Sequence, residues 1–179
     1  MKKRLSALLI QPFMLFLLSM LLTAYMASVN AWTKDIETLD DANTLCKLEP
    51  DAQCTSAVRV GLQAPGVDMH DATMEAMRLD GANLQGANFQ RSIMQLANLK
   101  GANLMMANLE GAHMHATNLQ NANLMMANMQ KVNLLDADLR GANLRGANLT
   151  GAILIQAKFE NATWTDGRVC AAGSVGECL

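Results

Sequence analysis

The chain has 179 residues, enough for one domain of ordinary size. It carries 14 Lys and Arg against 16 Asp and Glu, a formal net charge of −2. Mild acidity argues against nucleic-acid binding, which needs a basic patch.

The first segment is a targeting signal by construction. Lys2-Lys3-Arg4 is followed by an apolar stretch from Phe13 to Met26, broken only by Ser19 and Thr23, and then by the small residues Val29 and Ala31 at the −3 and −1 positions of a cut. This predicts a signal peptide over 1–31 and a periplasmic or secreted protein. The competing reading is an uncleaved membrane anchor from Leu8 to Val29, against which Gln11 and Pro12 interrupt the run early. Cleavage would remove three of the 14 cationic side chains and none of the 16 acidic ones, leaving 11 against 16, a net charge of −5. No membrane contact is then expected of the mature chain.

Residues 32–66 read as an N-terminal cap. Asp35 to Cys46 is helix-compatible, Pro50-Asp51 could open a second short helix running to Val60, and Pro65-Gly66 makes a turn. Cys46 and Cys54 lie here, and Cys170 and Cys178 lie in the last segment, 167–179. In an exported chain disulfides are the default for these four. A zinc site is the weaker alternative, since neither pair has a short C-x-x-C spacing or a nearby His.

Between the flanks, a large apolar residue recurs every fifth position from 67 to 166: Ala82-Asn83-Leu84-Gln85-Gly86, then Ala87-Asn88-Phe89-Gln90-Arg91, and so on through Ala147-Asn148-Leu149. Neither an α-helix at 3.6 residues per turn nor a strand alternating by two keeps that period on one side. A fixed short repeat belongs to a coil that stacks on itself. The pattern weakens at Met77, Ser92-Ile93, Thr117 and Val132, which read as imperfect repeats.

The A(N/D)LXX pattern, over about 100 of the 179 residues, resembles the pentapeptide repeat family. The resemblance implies an all-β fold: a right-handed, four-sided β-helix in which four pentapeptides make one coil and residues twenty apart stack. Twenty pentapeptides would make about five coils, a rod ~24 Å long at the strand spacing. The family's geometry turns the third and first residues inward and leaves the second, fourth and fifth outside. The four inward ladders would then be Leu84 to Trp164, Leu79 to Phe159, Met69 to Leu149 and Met74 to Leu154, all large and apolar, with Ala at most first positions because a narrow tube cannot hold two large side chains per pentapeptide. On one side Asn83, Asn103, Asn123 and Asn143 should stack as an amide ladder. Gly at the fifth position suits corners with positive φ. Ends of such a stack need caps. Cysteines at opposite ends of a ~24 Å rod cannot come within disulfide reach, so Cys46 is expected to pair with Cys54 and Cys170 with Cys178.

For function, His70, His113 and His115 stand without a nucleophile motif, so no enzyme and no cofactor is expected. Two outward apolar sets stand out. Met105, Met106, Met125 and Met126 repeat at fourth and fifth positions one coil apart. Ile93, Leu96, Leu135, Ile153 and Ile155 fall on the side of His113 and His115. Exposed apolar patches mark partner surfaces. The expected function is a non-catalytic exported scaffold for another protein or a second copy of itself. Two alternatives stand beside it. The four methionines could hold Cu(I) through soft sulfur. The family's better-known members include gyrase-binding proteins that mimic DNA, a reading that the signal peptide and the short rod disfavour.

Overall fold

The structure, a computed structural model, describes residues 46–179. The expected signal segment, 1–31, and the expected helix beginning at Asp35 lie outside them.

From residue 52 the chain turns a corner every five residues, and the second residue of each pentapeptide pairs in parallel with the one twenty positions on. This makes four faces, named here in chain order. The first carries Gln53, Thr73, Ile93, His113, Asn133 and Ile153; the second runs Val58 to Lys158, the third Gln63 to Thr163 and the fourth Asp68 to Asn148. One hydrogen-bond rule generates the coil. The second residue of each pentapeptide donates its N–H to the first residue's carbonyl one coil back, as Asn83 does to Leu62 at 2.7 Å. The third donates to the second residue's carbonyl one coil ahead, as Leu84 does to Asn103 at 2.8 Å, and the fifth does the same to the fourth. A β-turn closes each corner, the N–H of Ala87 reaching the carbonyl of Leu84 at 3.1 Å.

These turns hold the fifth residue in the left-handed region, whether or not it is Gly. Gly141 shows why Gly is favoured there: its φ is +69° and a Cβ would meet Asn121 Oδ1 at 2.3 Å.

The core is the inside of the tube. Leu84, Leu104, Leu124 and Leu144 are at most 1% exposed, and so are the small first-position residues beside them. The imperfect repeats keep the register, because Met77, Ser92, Thr117 and Val132 are fully buried first-position residues. The two hydroxyls find partners inside: Ser92 Oγ donates to the Phe89 carbonyl and Thr117 Oγ1 to the Met94 carbonyl, each at 2.8 Å. The expected inward ladders hold, with Leu149, Leu154 and Trp164 only partly buried where the stack ends.

The N-terminal side differs from expectation. Pro50 to Val60 is not a helix, and regular coils begin at residue 52 rather than 67, so the first face is six residues deep. Pro50 occupies a corner, with Asp51 after it at φ 58°. The inward third positions there are Cys54, Arg59 and Ala64, which hide the repeat, yet the backbone pairs as elsewhere: Arg59 N–H to Arg78 C=O is 2.8 Å and Ala64 N–H to Asn83 C=O is 2.9 Å.

Each flank carries a disulfide. Cys46 bonds Cys54 with an S–S distance of 2.08 Å, and Cys170 bonds Cys178 at 2.04 Å. After Trp164 the chain reverses over the last coil, pairing Val169 antiparallel to Thr163 and Val175 antiparallel to Lys158. Among the described residues this tail covers the ends of the second and third faces and not those of the fourth and first.

Candidate interaction surface

Side chains reach solvent from the second, fourth and fifth positions, so any site must be built along a face or a corner. The third and fourth faces are smoothed by amides. Asn103 Nδ2 donates to Asn83 Oδ1 and Asn123 Nδ2 to Asn103 Oδ1, both at 3.1 Å. A second ladder, which the sequence reading did not single out, climbs the fourth face through Asp68, Asn88, Asn108 and Asn128 at 2.8 to 3.2 Å. The same Asn side chains accept the N–H two residues on, as Met105 N–H to Asn103 Oδ1 at 3.3 Å, and so tie each face to its corner.

The corner between these two ladders holds the four methionines. Met106 N–H donates to the Met125 carbonyl at 2.9 Å, which places the two Leu-Met-Met corners one above the other. Met105 and Met125 are half-buried; Met106 is 50% exposed and Met126 63%. Both exposed methionines sit at positive φ, 58° and 56°. An L side chain in that conformation costs about 1–2 kcal/mol, and methionine has no short polar group to offset it locally. Leu96, at φ 59° and 65% exposed, repeats the combination.

The second apolar set is split in two. Ile93 and Leu96 share one coil, whereas Leu135, Ile153 and Ile155 cluster at the C-terminal end. His113 separates them on the first face, pairing with Ile93 below and Asn133 above. On the neighbouring corner His115 lies between, its Nε2 3.4 Å from Asp136 Oδ2.

Charged groups line the other two corners. Arg140 makes a two-pronged contact with Asp138 at 2.9 and 2.6 Å, and Gln120 adds a bond at 2.7 Å. The Arg140 hydrogen bonds, opposed by partial burial and helped by Gln120, hold the Asp138 carboxyl at about 2. Arg91 grips Asp71 similarly at 2.8 and 2.5 Å, lowering that carboxyl. His70 Nδ1 is 2.8 Å from Asp68 Oδ1, which raises the imidazole above its ordinary value. His70 thus lies on the fourth face's corner, away from His113 and His115. Among the described residues no group of three or more His, Cys, Asp or Glu side chains gathers to hold a metal ion.

The pentapeptide repeat family model matches residues 68–104, 107–146 and 127–163, more than half of the chain. The chain belongs to the pentapeptide repeat family. Its coil is therefore the family's right-handed quadrilateral β-helix. Pentapeptide repeat proteins are in general structural or binding proteins, and no enzyme family is indicated.

Three solved structures show what this family member is similar to. A pentapeptide repeat protein, Rfr23, from the cyanobacterium Cyanothece 51142 is 24% identical, over 65% of this chain and 90% of that one, with a TM-score of 0.38. HetL, involved in heterocyst differentiation regulation in the cyanobacterium Nostoc, is 28% identical over 70% of this chain and 62% of its own, with a TM-score of 0.30. A pentapeptide repeat protein of the Arabidopsis thaliana thylakoid lumen is 26% identical over 66% and 84%, with a TM-score of 0.31. Among curated proteins none matches this chain.

The sequence reading also missed the uneven C-terminal end of this pentapeptide repeat protein. Leu149, Ala152 and Leu154 are partly exposed there, whereas Met129, Val132 and Leu134, one coil below, are fully buried. Val169 and Val175 on the returning tail are 65% and 45% exposed. Their alternation around Cys170 and Ser174 was the signal available in the sequence.

Proposed function

We propose that this protein is a non-catalytic exported scaffold whose corners bind another protein. One observation carries the reading: Met106, Met126 and Leu96 project exposed apolar side chains from backbone positions that favour Gly. Core packing gains nothing from them, and the turn would be more stable without them. Long apolar side chains kept at such positions suit a surface that another molecule covers, and methionine's flexible thioether adapts to varied partners. The amide ladders on either side give that corner flat, rigid flanks. Export rests on the 1–31 pattern and agrees with both disulfides.

The test is affinity capture from periplasmic extract with the tagged protein and a Met106→Gly/Met126→Gly variant. Gly suits the corner conformation, so the rod survives while the apolar projections vanish. Loss of a reproducible partner in the variant is expected; equal recovery from both would remove the corner from the proposal.

A further inference from the structure

We infer that the methionine corner is a site of selective sulfur oxidation, at which a hydroperoxide converts Met106 and Met126 to sulfoxides and releases the protein that the corner holds. The inference rests on the reading of that corner as an association surface, and it names the chemistry that regulates it.

The chain has 14 methionines, of which Met1, Met14, Met20 and Met26 lie outside the described residues. The others are sorted by their place in the pentapeptide. Met69, Met74, Met94, Met114 and Met129 at third positions and Met77 at a first position are at most 2% exposed, inside the tube. The remaining four point outward, and all four stand at one corner. The same columns carry Gln85 and Gly86 one coil below and Arg145 and Gly146 one coil above, so the turn itself does not call for methionine. Nor does Met126 fold back onto the core. A Cβ built on Gly146 would lie 3.4 Å from the Met126 Cγ, so the side chain runs up the outside of the rod, over a residue that leaves it uncovered.

The usual first target of a peroxide is closed off. Thiolates stand at the head of the oxidation ladder, but the chain's four cysteines are all held in disulfides. Exposed thioethers are what such an oxidant then meets.

With hydrogen peroxide the step balances as follows. The sulfur attacks one oxygen, an S–O bond forms as the O–O bond breaks, and the sulfur gives up two electrons. The departing hydroxide collects the proton of the transferred oxygen and leaves as water. A polar, chiral sulfoxide replaces a flexible apolar side chain. In the tube that change would disrupt the core; at this corner it alters only the surface. The backbone there is held by main-chain bonds, from the Met106 N–H to the Met125 carbonyl at 2.9 Å and from the Met126 N–H to the Arg145 carbonyl at 3.0 Å, which oxidation of sulfur does not touch. Oxidation therefore changes binding and leaves the rod intact. A sulfoxide is also a state that reductases return to methionine, so the release is reversible.

The experiment treats tagged protein, expressed from the full coding sequence and with its disulfides intact, with hydrogen peroxide, and maps each methionine by peptide mass spectrometry. Met106 and Met126 should gain oxygen first, Met105 and Met125 more slowly, and the six buried methionines only after denaturation. Once the peroxide is removed, the oxidised protein should keep its melting temperature but recover its partner from periplasmic extract about tenfold less well, or worse. Met106→Leu/Met126→Leu keeps the apolar surface without the sulfur, and should hold the partner through the same treatment. Met106→Gln/Met126→Gln, polar from the start, should recover it poorly without peroxide. Three results would overturn the switch while leaving the corner as a partner surface: buried methionines oxidised as fast as Met106, undiminished recovery by protein carrying both sulfoxides, or an equal loss from the leucine variant. Full recovery by Met106→Gly/Met126→Gly would remove the partner surface itself, and the switch with it.

Discussion

The first coil, 52–66, and the middle coils share a backbone but hardly a sequence. Inward third positions are Leu84, Leu104 and Leu124 in the middle, and Cys54, Arg59 and Ala64 at the start. Hydrogen bonds to the coil above have closely similar lengths in both, 2.7 to 2.9 Å in the first coil and 2.7 to 3.0 Å in the middle. A stacked coil thus copies its neighbour through the backbone ladder, and the side chains decide how firmly the copy is held. The middle is held by burial on all sides; the first coil is held by the ladder and a disulfide.

The largest effect should come from placing one charge in each region. Leu124→Asp sets an unpaired carboxylate in a dry ladder and should cost more than about 4 kcal/mol, unfolding the rod. Ala64→Asp, at the equivalent inward position of the partly exposed first coil, should cost about 1 kcal/mol, and the outward Asn118→Asp no more than that, since it keeps the acceptor for the Gln120 N–H. Thermal unfolding of the three decides; equal melting temperatures would show the register to be wrong.

Next in size is the tail. Cys178→Ser opens a short loop that closes on the last coil, and should cost about 2–3 kcal/mol by the chain-entropy estimate. Cys54→Ser opens a loop of the same sequence separation at the other end and should cost about as much. Denaturant titration of the two variants compares the ends directly.

Acid should weaken the middle through Asp138. Its carboxyl is lowered from 3.8 to about 2, so its contribution is complete above pH 4 and is lost as pH falls from 4 toward 2. Arg140 is 47% exposed and partly screened by solvent, so the loss should be about 1–2 kcal/mol. Asp138→Asn should flatten the stability profile over that window. The smallest effect is Met126→Gly, which relieves the left-handed strain but frees the unfolded chain, for a net gain of at most about 1 kcal/mol.

The middle of the fold was legible because each buried third position repeats a large apolar residue at a period that helix and strand cannot share. Corner geometry was legible from Gly81, Gly86 and Gly101, but Arg91, Met106 and Lys131 adopt the same φ without announcing it. The first coil was hidden because backbone pairing carries no side-chain signature, and Pro50-Asp51 reads equally as a helix start and as a corner. The candidate corner was legible, since Leu104-Met105-Met106 recurs twenty residues on. The uneven C-terminal end was not, because it depends on where the tail stops covering the last coil.

Amide hydrogen exchange over residues 52–66 tests the central claim that the ladder, not the motif, makes the coil. Cys54, Arg59 and Ala64 donate to the coil above, while Gln53, Val58 and Gln63 begin ladders and have no coil beneath them in the described residues. Slow exchange is expected at the first three and fast exchange at the second three, alternating along the segment. Continuous protection from Pro50 to Val60, as a helix would give, or uniform fast exchange up to residue 66, would contradict it.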